Sequence, residues 1–205
     1  MMDQIQVKRR AGRPTPEEAE QKRQNLILVA LQEFARAGYR AASLRDIAEK
    51  AQISSRTLYN HYPDKLALFE ACLEYSGRQI RPDVPYLEGD LHTRFVTYAV
   101  EMQRQLFAPT SLQIARLIYR ECSDFDALRQ IARLQFERHQ LMPVVDILAN
   151  EGMASDKCHD YATQFVVMAF GEWQRRLLFG GEPMTEEEMT THAELVTTIF
   201  LNGIF

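Results

Sequence analysis

The chain has 205 residues, 46% of them hydrophobic, with only 9 Gly and 8 Pro and a formal net charge of -4. That length suits one large domain or two small ones, the composition favours an ordered and mostly helical chain, and no apolar run is long enough to span a membrane. The net acidity hides an asymmetry: residues 1–65 carry 12 basic and 8 acidic side chains, which leaves 12 basic and 20 acidic for the rest. A basic head on an acidic body is the footprint expected where only the head meets nucleic acid.

Residues 1–14 form a polar, basic arm in which Arg13 lies between Gly12 and Pro14. An extended arginine of this kind suits insertion into a narrow minor groove, the alternative being a solubilising tail. Thr15-Pro16-Glu17-Glu18 then supplies a cap, a proline at the first helical position and an acid three residues after the cap, which predicts a helix running to Gly38. Next, Ser43 opens a short helix whose apolar face is Leu44, Ile47, Ala48 and Ala51. The turn Gln52-Ile53-Ser54 is too short for anything but a steep crossing, and Ser54 is placed to cap a second short helix through Thr57. With Leu58 and Tyr62 assigned to the core, that helix is left with Ser55, Arg56, Thr57, Asn60 and His61 on its free face and Tyr59 at its edge. All can hydrogen-bond to phosphates or base edges, which is the pattern of a recognition helix entering the major groove. Asp64 is placed to cap a third helix beginning at Lys65 and passing through Leu66, Phe69, Cys72 and Tyr75.

Beyond it, Pro82, Pro85 and Gly89 mark a loop over residues 81–89. Helical patterns follow over 90–107, 111–122, 125–150, 157–179 and 185–202, with Pro109, Gly152 and Gly180-Gly181 as punctuation. The last two are apolar on more than one face, so both sides need cover. Central placement in a monomer would satisfy this, but a four-helix interface between two copies is the favoured expectation, with Phe170, Trp173, Leu177, Val196, Ile199 and Phe200 as its candidate residues. Two copies would set two recognition helices on successive half-sites of a palindrome.

The segment from Ser43 to Lys65 resembles the TetR family of bacterial transcriptional regulators. The likeness rests on Ser43, Ile47-Ala48, Ile53-Ser54, Thr57-Leu58-Tyr59, His61-Tyr62 and Lys65 and spans about the first 75 residues. It implies an all-α protein with a helix-turn-helix head at 15–64 and a ligand-binding and dimerisation body at 65–205. It implies phosphate contacts from Ser43, Tyr59, His61 and Lys65 and base-facing positions for Arg45, Ser55, Arg56 and Thr57. Two departures stand out: Gln52 occupies a turn position that commonly holds Gly, and Arg56 stands where Gly is frequent. The body is more weakly similar to the AefR-like subgroup through Ala115–Glu121.

Members of the family enclose a ligand cavity in the body. The candidate lining is Phe95, Tyr98, Met102, Leu117, Ile118 and Phe136, together with His139, Phe165 and Met168, a mixture suited to a small, mostly apolar molecule. Arg116, Arg120 and Glu121 are either orienting groups or surface charges. The resemblance therefore implies a cytoplasmic homodimeric repressor released from a palindromic operator by such a ligand, the alternative being a DNA-binding regulator controlled by a protein partner or by its own abundance. Catalysis is not expected: phosphate-binding loop, nucleophile elbow and paired metal-binding histidines are all missing from the sequence, and no cofactor is implied. Cys72, Cys122 and Cys158 lack metal-ligand spacing and read as small buried hydrophobes.

Overall fold

The computed structural model describes residues 15–80, 88–121 and 125–204, and every regular element among them is helical. Arg13, Cys122 and most of the 81–89 loop lie outside the described residues. Helix α1 (Pro16–Ala37) opens with the full capping box: the Thr15 hydroxyl accepts from the Glu18 amide, and the Glu18 carboxylate accepts from the Thr15 amide. It ends at Gly38, whose φ of 84° is open to glycine at little cost. Helices α2 (Leu44–Lys50) and α3 (Ser55–His61) follow, each with its serine cap in place. At α2 only half of the box forms, since Ser43 accepts from the Asp46 amide without a return bond.

Helix α4 (Lys65–Ile80) starts beneath Asp64, which accepts from the Ala67 amide. Its first half does not stand apart from the head. Leu68, Phe69, Cys72 and Leu73 share one apolar core with Leu26, Ile27 and Phe34 of α1, Ile47 of α2 and Leu58 of α3. The same core takes in Ile114 and Leu117 of α6 (Pro109–Glu121) and Leu128 and Ile131 of α7 (Asp126–Phe136). Pro109, read from sequence as punctuation, is the first residue of α6, where a proline costs nothing because the first amide has no helical partner.

The body has its own core. Helices α5 (Leu91–Leu106), α8 (Met142–Asn150), α9 (Ser155–Phe179) and α10 (Glu186–Ile204) enclose Phe95, Tyr98, Met102, Phe165 and Phe200, with the Phe95 and Phe165 rings 4.5 Å apart, edge to face. Between α7 and α8 the helix passes through one π turn at Glu137–Leu141 and runs on without a break. Pro143 explains the widening: it has no amide for the His139 carbonyl, and its ring crowds that carbonyl out of line. The Tyr98 hydroxyl donates to the neighbouring Gln140 carbonyl at 2.5 Å, pinning the turn to α5. The sequence reading of one helix over 125–150 held its length but missed the turn, although Pro143 was its signal.

Candidate nucleic-acid interface and body cavity

In the head the cores and the free faces separate cleanly. Ile47, Ala48 and Leu58 are buried and Tyr62 nearly so, while Arg45, Ser55, Arg56, Thr57, Tyr59, Asn60 and His61 are exposed and Ser43 is half-buried. The Ser54 hydroxyl accepts from the Thr57 amide at 3.0 Å and lies 2.8 Å from the Thr57 hydroxyl, so the first turn of α3 is held with its side chains outward. Helix α2 is tied to α1 by Glu33, a buried carboxylate that accepts from both Arg36 and Lys50. Those two cations hold its carboxyl below the ordinary carboxylate range. Gln52, at the turn position, adopts φ 56° and is the one non-glycine among the described residues with positive φ. The turn therefore keeps the left-handed backbone and Gln52 bears the strain.

Lys65 also has a tie within the head. Its ammonium donates to the Arg40 carbonyl at 2.9 Å and the Ala42 carbonyl at 3.1 Å, and it sits 4.9 Å from the centre of the Tyr39 ring. It clasps the α1–α2 connection.

The body holds a cavity of about 480 Å³. Its walls are Leu73, Ser76 and Gly77 of α4, Ile118 of α6, and Phe136 at the end of α7. His139 and Gln140 of the π turn and Phe170, Trp173 and Gln174 of α9 complete them. The sequence candidates Ile118, Phe136 and His139 are therefore on the wall. Phe95, Tyr98, Met102 and Phe165 are not: they fill the body core, which Met168 borders, and Leu117 belongs to the core shared with the head. Aromatic and Met periodicity marks buried faces in general and does not separate a packed face from a hollow one. Trp173, assigned from sequence to a dimer surface, lines the cavity and donates from its indole to the Leu106 carbonyl at 3.0 Å. Phe170 is also a wall residue, and Val196 and Phe200 are buried within the single chain.

Arg120 and Glu121 meet the head rather than the cavity. The Arg120 guanidinium packs so close to Gly38 that an added Cβ would lie 2.6 Å from it, and Glu121 is 3.9 Å from Arg40. His139 presses against α4: a Cβ at Gly77 would fall 2.2 Å from its ring, and its Nε2 is 3.6 Å from the Glu74 carboxylate. Burial alone pushes the Glu74 carboxyl up, but bonds from Arg78 and Gln135 and the nearby Arg138 and His139 outweigh it and hold it at about 2. Cys72 and Cys158 are buried as expected, and burial raises the Cys72 thiol.

A short capped recognition helix, presented with its hydroxyl, amide and guanidinium groups outward on a three-helix head, defines a helix-turn-helix DNA-binding protein. Residues 26–72 match the family model for bacterial regulatory proteins of the TetR family. The chain is 26% identical over 186 residues to YvkB of Bacillus subtilis, an uncharacterized HTH-type transcriptional regulator, covering 87% of this chain and 95% of that one. The flavonoid-responsive regulator FrrA is similar in structure, with a TM-score of 0.74 at 23% identity over 90% of this chain and 97% of that one. A TetR-family regulator from Pseudomonas syringae pv. tomato is similar as well, at 0.69 and 23% over 89% and 95%. Residues 26–72 are therefore a DNA-binding head of the TetR-family helix-turn-helix type, and along most of its length the chain is similar to transcriptional regulators. Among the described residues no helix is long and apolar enough to cross a membrane.

Proposed function

We propose that the protein is a cytoplasmic homodimeric repressor that leaves a palindromic operator when a small, mostly apolar molecule enters the body cavity. The observation that carries this reading is the double role of α4. Its first half is part of the head core, and its second half, at Leu73, Ser76 and Gly77, is cavity wall. An occupant that requires more room displaces the same rod that sets the attitude of α3. Occupant and operator then weaken each other by one shared factor, typically about 1–3 kcal/mol.

The dimer is supported by apolar surface left uncovered on two helices that pack against each other: Val167 and Phe179 on α9 are 61% and 82% exposed, and Leu195 and Ile199 on α10 are 58% and 53% exposed. A second copy covering this surface brings two recognition helices to half-sites about 34–36 Å apart. The likeness to a flavonoid-responsive regulator is consistent with an aromatic occupant. In this reading 15–64, joined by Lys65 at the start of α4, supplies the DNA contacts and the rest of 65–205 the cavity and interface, with Ser43, Tyr59, His61 and Lys65 on phosphates and Arg45, Ser55, Arg56, Thr57 and Asn60 toward bases.

The test is a selection from random duplexes followed by titration of the selected operator. A palindromic site, released by a compound that also raises the melting temperature of the free protein, is the expected result. A compound that stabilises the body while leaving operator affinity unchanged would refute the release mechanism.

A further inference from the structure

The cavity wall carries a chemical preference that apolarity alone does not express. Among the described residues no aspartate or glutamate lines it, and Arg133 is its one lysine or arginine. Arginines 94, 104, 129, 138, 175 and 176 of the body each hold a carboxylate partner. Arg133, exposed at the rim, has none within ion-pair distance among the described residues. Glu74, on α4 behind the wall, is already engaged by Arg78 and Arg138. Gln135 provides a second, independent feature. Its amide supports the Glu74 carboxylate, which an amide does by donating N–H, and this fixes which end points the other way. The Gln135 carbonyl oxygen is left buried without a hydrogen-bond partner. A buried acceptor in that state is costly until a donor reaches it. The same wall carries the aromatic side chains of Phe136, Phe170 and Trp173.

We infer that the cavity selects an aromatic acid that also bears a hydroxyl: the ring system lies against the aromatic wall, the carboxylate pairs with Arg133, and the hydroxyl donates to the Gln135 carbonyl. This rests on the cavity reading above and sharpens it from a mostly apolar ligand to an anionic one with a donor at its far end. Cations are disfavoured because no carboxylate among the described lining residues offsets their desolvation.

The experiment uses four fluorescent probes with the full-length protein: 6-hydroxy-2-naphthoate, its methyl ester, 6-methoxy-2-naphthoate, and a 6-hydroxynaphthalene bearing a trimethylammonium group. The wild type is expected to bind the hydroxy acid about tenfold more tightly than each of the others. Arg133→Gln should erase the preference of acid over ester while leaving the ester's affinity unchanged, and Arg133→Lys should keep most of it. Gln135→Met should erase the preference of hydroxyl over methoxy. Unchanged ester binding in the Arg133 variants, and unchanged binding of the methoxy acid in Gln135→Met, shows that the fold and cavity persist. A wild type that binds ester or cation as tightly as the acid, or an Arg133→Gln variant that keeps the acid preference, overturns the charge assignment and leaves the cavity reading intact. Failure of all four probes to bind overturns both.

Discussion

The side chains proposed to meet DNA are those the head core leaves unused. Tyr59 is 53% exposed, so Tyr59→Phe should leave thermal stability unchanged while weakening binding to all duplexes alike. Arg56→Ala should instead cost about 1–3 kcal/mol at particular base pairs, seen as a flattened preference in a duplex selection. Gln52 makes a different prediction. Its φ of 56° is a conformation that glycine adopts freely, so Gln52→Gly should raise the stability of the head by about 0.5–1 kcal/mol, measured by urea denaturation. At this scale the sequence was a good guide to caps and to the free face of α3, because both follow from local hydrogen bonding and period. It could not foretell the tie that Lys65 makes within the head, whose carbonyl partners Arg40 and Ala42 lie more than twenty residues away in the chain.

Among the elements, the π turn and α4 form the contact that matters most. The His139 ring occupies the space a Cβ at Gly77 would take, and His139 is itself buried and cannot swing aside cheaply. Gly77→Ala should therefore destabilise the protein by about 1–3 kcal/mol, and adding His139→Ala should recover a large part of that loss, which a double-mutant cycle in urea would measure. Full additivity of the two substitutions would remove the contact from the account. Glu74, on the same face of α4, ties stability to pH. Its carboxyl is held at about 2 against an ordinary 4.5, so its contribution is complete above about pH 4.5 and is lost as pH falls toward 2. Glu74→Gln should shrink the drop in urea midpoint between about pH 5 and about pH 3. Helical periodicity foretold both α4 and the helix across from it. The wall they build was hidden, because Pro143, His139 and Gly77 belong to separate stretches and only their packing makes a cavity.

For the whole molecule, the open question is what covers α9 and α10. Sequence patterning correctly showed both helices to be apolar on more than one side, yet it chose the stripe of Phe170, Val196 and Phe200, which faces the chain's own interior. Apolar content does not say which of two apolar faces looks inward; only the partner helix α5 settles that. Of the residues chosen, Ile199 is exposed, beside Leu195. Leu195→Lys combined with Ile199→Lys should preserve helix content and yield a monomer by sedimentation, with operator affinity falling steeply and non-specific binding persisting. A double variant that sediments as the wild type does would place the interface elsewhere.

The shared core of α1, α4, α6 and α7 also governs how the protein can be re-engineered. A reader domain cut out before Lys65 would shed Leu68, Phe69 and Cys72, and with them the lid over Leu26, Ile27 and Phe34. Such a fragment should be unfolded or aggregated. A chimera that transplants this operator specificity onto a foreign sensor must carry α4 and matching residues for Ile114, Leu117, Leu128 and Ile131 along with it. The seam at which the two halves can be exchanged is a packed surface, not a point along the backbone.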